Sequence, residues 1–303
     1  MAISTARTNE YAEVSIDLET CTGCGLCASV CMGGPLILKD SQITVDQKQH
    51  FGCFACGHCM AVCPEDCITV TGRDLSPDDL FPLPPDEKTA SYALLKALLE
   101  SRRSMRNFSA SPIPPEVLEQ IQQAISTAPM GLPPTDVAVL VFNSKESLQD
   151  LTEDIIHYLA KIRWMFSPWM LRLTRPFMSK VNQAVFEGFL APAVNGILDH
   201  YSDGVNWLTY DAPCALYFYT SPYADPADPI ITATYAMLAA QSLGLGSCML
   251  GTIPYLFKYS KKLRRKYGIP DKSQQGLMLI LGYPAIQYRK GITRRLRIIQ
   301  SHN

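Results

Sequence analysis

The chain has 303 residues, of which 47% are hydrophobic and 18% charged, and its formal net charge is −1. This length and composition exclude a disordered or fibrous chain and predict a globular protein of about two domains. The charge is uneven, because residues 1–72 carry three basic and eight acidic side chains, whereas residues 258–297 carry twelve basic side chains against Asp271 alone. This distribution indicates an acidic unit beside a basic surface or an anion site.

The first fourteen residues contain no apolar run of the kind found in signal peptides. Residues 230–257 carry no charge, but a Gly-Leu-Gly break and Pro254 favour a buried helix followed by a turn over a membrane span. Eleven cysteines without an export signal indicate metal ligation in a reducing compartment rather than disulfides. The sequence therefore predicts a cytoplasmic protein.

Two runs of four cysteines lie near the start of the chain, each with the spacing Cys-x2-Cys-x2-Cys-x3-Cys. This spacing lets one tight loop direct three thiolates at an iron–sulfur cube, while the fourth cysteine of each run reaches the other cluster. Zinc is the lesser alternative, because zinc sites typically take their ligands as two separated pairs. We expect two [4Fe–4S] clusters, the first bound by Cys21, Cys24, Cys27 and Cys63 and the second by Cys53, Cys56, Cys59 and Cys31.

Residues 11–72 resemble the dicluster ferredoxin family in both cysteine runs. Met32 follows Cys31 where that family has proline, and Cys67 is a ninth cysteine, which we interpret as a packed thiol together with Cys214 and Cys248. The domain is expected to span residues 1–72. A linker rich in proline and acidic residues is predicted at 73–88, before a second domain at 89–303.

Behind the linker, leucines at 94, 95, 98 and 99 form one helical stripe, and Pro114–Pro115 begins a second helix that ends before Pro129. Apolar runs at 137–142, 215–220 and 276–282 predict strands. Helices outnumber strands. The fold class is therefore α+β: a small ferredoxin-like iron–sulfur domain followed by a domain with a central sheet covered by helices.

The second domain has no phosphate-binding P-loop, HExxH motif or nucleophile elbow, and the glycines at 244 and 246 follow a helical pattern, which argues against a Rossmann site. The remaining candidate for a binding site is a run of cationic and hydroxyl side chains, Arg102, Arg103, Ser104 and Arg106, which suits a phosphate. Taken alone, such a run is more often the solvated end of a helix. A second basic cluster at 288–297 follows the last strand.

Residues 89–303 resemble the nitroreductase family of FMN flavoproteins. The resemblance rests on the RRSMRNF run, the pairs Ala128–Pro129 and Ala212–Pro213, the stretch AAQSLGLGSCMLG at 239–251, LGYP at 281–284 and the basic tail. It implies that the FMN phosphate and ribityl chain are held by Arg102, Arg103, Ser104 and Arg106, with one or both of Arg294 and Arg295, and Arg289 as a weaker candidate. It also implies that the flavin is lined by Pro129, Met130 and Gly131 and by the backbone of Leu250 and Gly251.

Many members of that family follow Ala-Pro with an Asn-x-Gln-Pro-Trp-like stretch, whereas this chain reads MGLPPTDV at 130–137. Because this part frames the substrate pocket in the family, the difference argues against a plain nitroaromatic substrate. Residues 157–201 interleave aromatic, methionine and basic side chains. We expect a helical lid or a dimer-embracing insertion there, with packing helices and a membrane-surface helix as alternatives.

Iron–sulfur clusters move single electrons, and flavins accept one or two. The fusion therefore predicts a reductase in which reduced ferredoxin or a similar low-potential donor supplies the clusters, the clusters supply FMN, and an electron-poor small molecule (nitro, quinone or activated alkene) is reduced. No side chain is assigned as the proton donor. The alternatives are an NAD(P)H-dependent enzyme whose clusters export electrons and a non-catalytic redox sensor.

The family resemblance also implies a homodimer with flavins at the interface, for which the apolar helix at 229–243 is a candidate. No nucleic-acid partner is expected. The acidic residues 1–72 are expected to dock on the basic stretch 258–297, in the same chain or across the dimer.

Overall fold

The computed structural model of the protein describes residues 4, 5 and 7–301, without the side chain of Gln275. Its N-terminal unit contains two antiparallel strand pairs and two short helices. They are β1 (Glu13–Ile16) paired with β4 (Ile68–Thr71), β2 (Leu36–Lys39) paired with β3 (Gln42–Val45), α1 (Leu26–Ser29) and α2 (His58–Val62). Ala12, Leu36, Met60 and Val70 belong to the small core of this unit.

The two short helices begin in the same way, each after the second cysteine of its run. Gly25 precedes α1 and Gly57 precedes α2, both in the left-handed region with φ of 78° and 76°. A side chain at Gly25 would also meet Leu38 Cδ2 at 2.8 Å. Glycine is therefore required at Gly25 by both the backbone turn and the space around it, and at Gly57 by the backbone turn.

Residues 77–97 are exposed without interruption and contain two single 3-10 turns. Arg73, which the sequence places in the linker, is instead buried, and residues 72 and 75 pair across a turn. The part of the linker that is open to solvent therefore begins at Pro77.

A four-stranded antiparallel sheet of order β5-β6-β8-β7 forms the centre of the large unit. The strands are β5 (Val137–Phe142), β6 (Cys214–Thr220), β7 (Gly246–Leu250) and β8 (Gln274–Gly282). The helices are α3 (Tyr92–Ser101), α4 (Pro115–Ser126), α5 (Lys145–Ile162), α6 (Pro168–Thr174), α7 (Lys180–Val185), α8 (Ala191–Ser202), α9 (Asp228–Ser242), α10 (Thr252–Tyr259) and α11 (Lys261–Lys266).

Each face of the sheet has its own hydrophobic core. Alternate residues of β6 point to opposite faces, so that Tyr217 belongs to one core and Phe218 to the other. The first core is closed by α5, α8, α10 and α11, and the second by α4 and α9. This arrangement confirms the predicted α+β domain with helices covering a central sheet.

The expectation for residues 230–257 differs from the structure. Residues 230–257 do not form only a helix and a turn, because they include β7, which pairs with the last strand. The leucine stripe of α3 lies open, with Leu94 66% exposed, although such stripes usually face a core. In the part of the chain that the structure describes, no helix has the length and apolar character needed to cross a membrane.

Candidate functional site

Both cysteine runs contribute to each of two cavities in the N-terminal unit. The first cavity is lined by Cys21, Cys24, Cys27, Cys63 and Cys67, and we call it the first cysteine site. The second is lined by Cys31, Cys53, Cys56 and Cys59, and we call it the second cysteine site. The two groups of four are those that the sequence spacing predicts.

The thiols of each site surround a space rather than a point. Among residues 4, 5 and 7–301, no three side chains of the metal-ligating types converge closely enough for a single ion. A cube of iron and sulfide fills a cavity between four thiolate ligands. Burial raises the pKa of the Cys59 thiol to about 12, so that iron binding must displace its proton. The four thiols of each site therefore fit a [4Fe–4S] cluster.

Cys67 lies against the first cysteine site without belonging to the group of four. Its Sγ is 3.5 Å from Cys63 Sγ, and the residue is buried. Burial raises the pKa of Cys67 to about 12, so that the thiol keeps its proton at neutral pH and can donate it to a neighbouring sulfur. Cys67, which the sequence predicts to be a packed thiol, is thus in hydrogen-bond contact with Cys63, a candidate cluster ligand.

The basic run after α3 lies along β7. Ser104 forms a parallel bridge with Ser247, and the Met105 N–H donates to the Ser247 carbonyl at 2.8 Å. This pairing places Arg102, Arg103 and Ser104 half-buried at the sheet edge, while Arg106 is exposed with its guanidinium 5.5 Å above the ring centre of Tyr210. The run is therefore fixed by backbone pairing and is not a loose helix end.

Among the described residues, two buried polar atoms at this edge have no hydrogen-bond partner, Arg103 Nε and Ser247 Oγ. Because buried polar groups are nearly always paired, these two atoms fit a site that a ligand or an ordered water completes. An added Cβ at Gly291 would lie 2.7 Å from Arg103 Nη2, which shows that the basic tail passes over this guanidinium. The donor set suits a phosphate, which accepts several charge-assisted hydrogen bonds.

The three tail arginines that the resemblance implies for phosphate binding lie less close to the basic run at 102–106 than Gly291 does. Arg289 is two residues from Gly291, and Arg294 and Arg295 are exposed. Within the described residues, no hydrogen bond or ion pair joins Arg294 or Arg295 to the run at 102–106. Their role in phosphate binding stays a prediction.

The residues implied to line the flavin lie on other elements. The Gly131 N–H donates to Asp228 Oδ2 at 3.2 Å, and Asp228 is only 6% exposed at the start of α9. Leu250 ends β7, and Gly251 faces open space, with no atom within 4 Å of an added Cβ. Pro129 is exposed and Met130 half-buried. Sequence reasoning missed Asp228, whose only signal was an acidic residue before Pro229 at a helix start.

The two ends of α9 separate parts of this predicted site. Asp228 holds Gly131 at the beginning of the helix, whereas Gln241 near its end donates to Ser101 Oγ at 3.2 Å. At 1.5 Å per residue, thirteen residues of helix place these contacts about 20 Å apart. Within one chain, the structure thus brings the basic run close to β7 but not close to Gly131.

An exposed helical segment at 163–190 lies within the predicted lid region. None of these residues is buried, and Phe177 is 89% exposed. Arg163 anchors the segment by donating to Asn195 Oδ1 at 2.9 Å and Asp199 Oδ1 at 2.8 Å on α8. The flanking residues 157–162 and 191–201 belong to α5 and α8, so only the middle of the predicted region is an open apolar surface.

Residues 99–283 match the model of the nitroreductase family, and residues 13–64 match that of the 4Fe–4S dicluster domain. The chain belongs to the nitroreductase family. It is an FMN-dependent oxidoreductase with an added iron–sulfur domain, as the sequence resemblance implied. The family match ends before the basic tail, so Arg289, Arg294 and Arg295 lie outside it.

Among solved structures, a nitroreductase with bound FMN from Desulfitobacterium hafniense is 21% identical, over 68% of this chain and 97% of its own, with a TM-score of 0.48. A nitroreductase with bound FMN from Bacteroides fragilis is 20% identical, over 69% and 98%, with a TM-score of 0.47. An FMN-dependent nitroreductase from Mycobacterium smegmatis in complex with NADPH is 17% identical, over 67% and 98%, with a TM-score of 0.44. No curated protein matches the chain.

Proposed function

We propose that this nitroreductase-family protein carries electrons from a low-potential one-electron donor, such as reduced ferredoxin, through two [4Fe–4S] clusters to FMN. An electron-poor organic acceptor (a nitro group, quinone or activated alkene) is then reduced at the flavin. The observation that carries the proposal is the pair of four-cysteine cavities in a chain whose larger unit belongs to a flavoenzyme family. Clusters that move single electrons have a direct use beside a cofactor that collects two.

The first cluster would be held by Cys21, Cys24, Cys27 and Cys63, and the second by Cys53, Cys56, Cys59 and Cys31. FMN supplies the conversion between one-electron and two-electron chemistry when it is bound. Its phosphate would be held by Arg102, Arg103 and Ser104, with Ser247 as an added hydroxyl and Arg106 at the exposed side. The unpaired Arg103 Nε and Ser247 Oγ support this placement, because a phosphate would pair both.

The same proposal includes a homodimer. Gly131 and the basic run lie at opposite ends of α9, so a second copy that contributes its own 129–131 would complete a flavin site that one chain holds in two distant parts. The open leucine stripe of α3, next to the basic run, offers an apolar face for that second copy. Sedimentation velocity of the FMN-loaded protein tests this idea, and a monomer would remove it.

Two other functions keep the same fold. In one, NADH or NADPH reduces the flavin directly and the clusters carry electrons away. In the other, the protein is a redox sensor without turnover. The open segment at 163–190 favours an enzyme over a sensor, because a cover for the flavin is useful only where a substrate is enclosed.

The deciding experiment is an anaerobic visible titration of the purified protein with reduced ferredoxin and, separately, with NADH and NADPH. The proposal expects ferredoxin to bleach first the clusters and then the flavin, with turnover when an acceptor is added. Cys21→Ser and Cys53→Ser should each abolish ferredoxin-driven turnover while flavin that is reduced by other means still reacts. Rapid flavin bleaching by a nicotinamide, with both variants fully active, would favour the first alternative.

A further inference from the structure

Arg73 joins the N-terminal unit to the segment at 129–135. It follows β4, is 7% exposed and has a backbone φ of 52°. Its Nε and Nη2 donate to the Pro133 carbonyl at 3.0 and 2.7 Å, and its Nη1 donates to the Glu10 carbonyl at 2.8 Å. A left-handed backbone at a residue that is not glycine persists only where its surroundings hold it. The guanidinium is thus a fixed connection between the two units.

A second arginine reinforces the same contact. Arg7 Nη1 donates to the Thr135 carbonyl at 3.0 Å, and Arg7 also forms an ion pair with Asp74. Arg7 is exposed, so its contribution is small next to that of a buried guanidinium. Together the two arginines donate to the Pro133 and Thr135 carbonyls, whereas the sequence predicted docking of residues 1–72 on the basic stretch at 258–297. Docking of the two units across a dimer stays a prediction.

Within the N-terminal unit, hydrogen bonds connect Arg73 to the second cysteine site. Arg73 holds the carbonyl of Glu10, and two residues later the Ala12 N–H donates to the Cys53 carbonyl at 3.0 Å. Two hydrogen bonds, with residues 10–12 between them, therefore connect Arg73 to Cys53, a predicted ligand of the second cluster.

The other side of the connection leads to residues that the family resemblance places at the flavin. Pro133 is two residues from Gly131, which is itself held by the buried Asp228. The segment from Gly131 to Pro133 is thus held at both ends, at Gly131 by Asp228 on α9 and at Pro133 by Arg73 of the N-terminal unit. It is also the segment in which the sequence differs from the usual family pattern.

We infer that the cluster of the second cysteine site is the one that passes electrons to the flavin domain, and that Arg73 is the positioning residue that holds this cluster against the 129–135 segment. The inference rests on the proposed function. With both clusters and FMN bound, the external donor would reduce the first cluster, the first cluster would reduce the second, and the second would pass one electron at a time to the flavin. Two such electrons and two protons from water would balance the two-electron reduction of the acceptor.

The guanidinium has an electrostatic effect besides its positioning role. A fixed positive charge beside a cluster stabilises the form that holds an extra electron, so it raises the reduction potential of that cluster. Because Arg73 is largely buried, this effect is only weakly screened by salt. A higher potential at the second cluster directs electrons from the first cluster towards the flavin domain.

The test uses the holoprotein and three variants. Arg73→Met removes the charge and the hydrogen bonds. Arg73→Lys keeps the charge but loses the forked geometry that binds two carbonyls. Lys39→Met, a matched control, removes an exposed charge from the same unit. EPR-monitored redox titrations give the two cluster potentials, and anaerobic stopped-flow mixing with reduced methyl viologen gives the rates of cluster and flavin bleaching.

We expect Arg73→Met to shift the reduction potential of one cluster to a more negative value and to leave that of the other cluster unchanged. In the same variant, flavin bleaching should slow at least tenfold, while the clusters bleach at the wild-type rate. Arg73→Lys should slow flavin bleaching with little shift in potential, and Lys39→Met should change neither quantity. A wild-type rate of flavin bleaching in Arg73→Met, or equal shifts of both potentials, would overturn the inference.

If Arg73→Met fails to retain its iron, Arg73→Lys decides alone, and a wild-type bleaching rate in that variant refutes the positioning role. The proposed function fails in a different way. In that case, Cys21→Ser and Cys53→Ser would reduce the flavin as fast as the wild type does, whatever Arg73 does.

Discussion

Arg103 is a proposed phosphate-binding residue whose buried Nε has no partner among the described residues, and the tail at Gly291 lies over its Nη2. A hydrogen bond to a charged group contributes about 1.5–3 kcal/mol. Arg103→Ala should therefore weaken FMN binding by about 10- to 100-fold. Fluorescence titration of the flavin-free protein measures this, with the exposed Arg297→Ala as control. Unchanged affinity in Arg103→Ala would place the phosphate elsewhere.

Cys67 should influence the first cluster without binding it. Its thiol keeps its proton and lies 3.5 Å from Cys63 Sγ, and a hydrogen bond to a ligand sulfur stabilises the reduced cluster. Cys67→Ala should shift the first cluster to a more negative potential, and Cys67→Ser should shift it less. Redox titration followed by EPR measures both. Loss of the cluster in Cys67→Ala would instead show that Cys67 is a ligand.

Among the helices and strands, the sequence predicted those that are buried within this one chain. The strands at 137–142 and 276–282 and the helix after Pro114 were found because their apolar patterns are long and face a core. β7 was missed because GSCML is short and begins with glycine, and it becomes a strand by pairing with β8. The leucine stripe of α3 was recognised, but a pattern cannot say which partner covers it.

The segment at 163–190 should behave as a cover for the flavin pocket. Its exposed Arg172 and Arg175 are sites for trypsin, and no residue of the segment is buried. We expect trypsin to cut the holoprotein there first and a bound quinone, menadione, to slow that cut several-fold, because a closed cover is less open to the protease. Cutting in the tail at 294–297 serves as the control. Protection by anionic lipid vesicles but not by menadione would instead indicate a membrane-surface helix.

For the molecule as a whole, the sequence predicted groups of residues that follow from local spacing, but it did not predict contacts between distant parts of the chain. The two cysteine groups follow from spacing within short loops, and the structure brings together the same residues. The contacts Arg73–Pro133 and Gly131–Asp228 join residues 60 and 97 positions apart, and nothing in the sequence links them. The expected docking of residues 1–72 on 258–297 was argued from net charge, which does not identify the contacting atoms.

The contrast between the docking expected on residues 258–297 and the observed contact of Arg73 with Pro133 leads to a prediction about salt. A transient contact between an acidic unit and a basic surface would weaken as salt screens the charges, and electron transfer would slow. The contact seen in the chain is a buried guanidinium bound to neutral carbonyls, which salt screens little. Flavin bleaching after cluster reduction should therefore change less than about twofold between about 0.05 and 0.5 M salt.

The same stopped-flow trace contains the control for this prediction. Reduced methyl viologen is cationic, and residues 1–72 carry an excess of five acidic side chains. The bimolecular phase in which the clusters are reduced should accordingly slow as salt rises, while the later flavin phase stays constant. If the flavin phase slows in parallel at saturating viologen, the two units meet through charged surfaces during turnover. The Arg73 contact would then be a resting position and not the route of transfer.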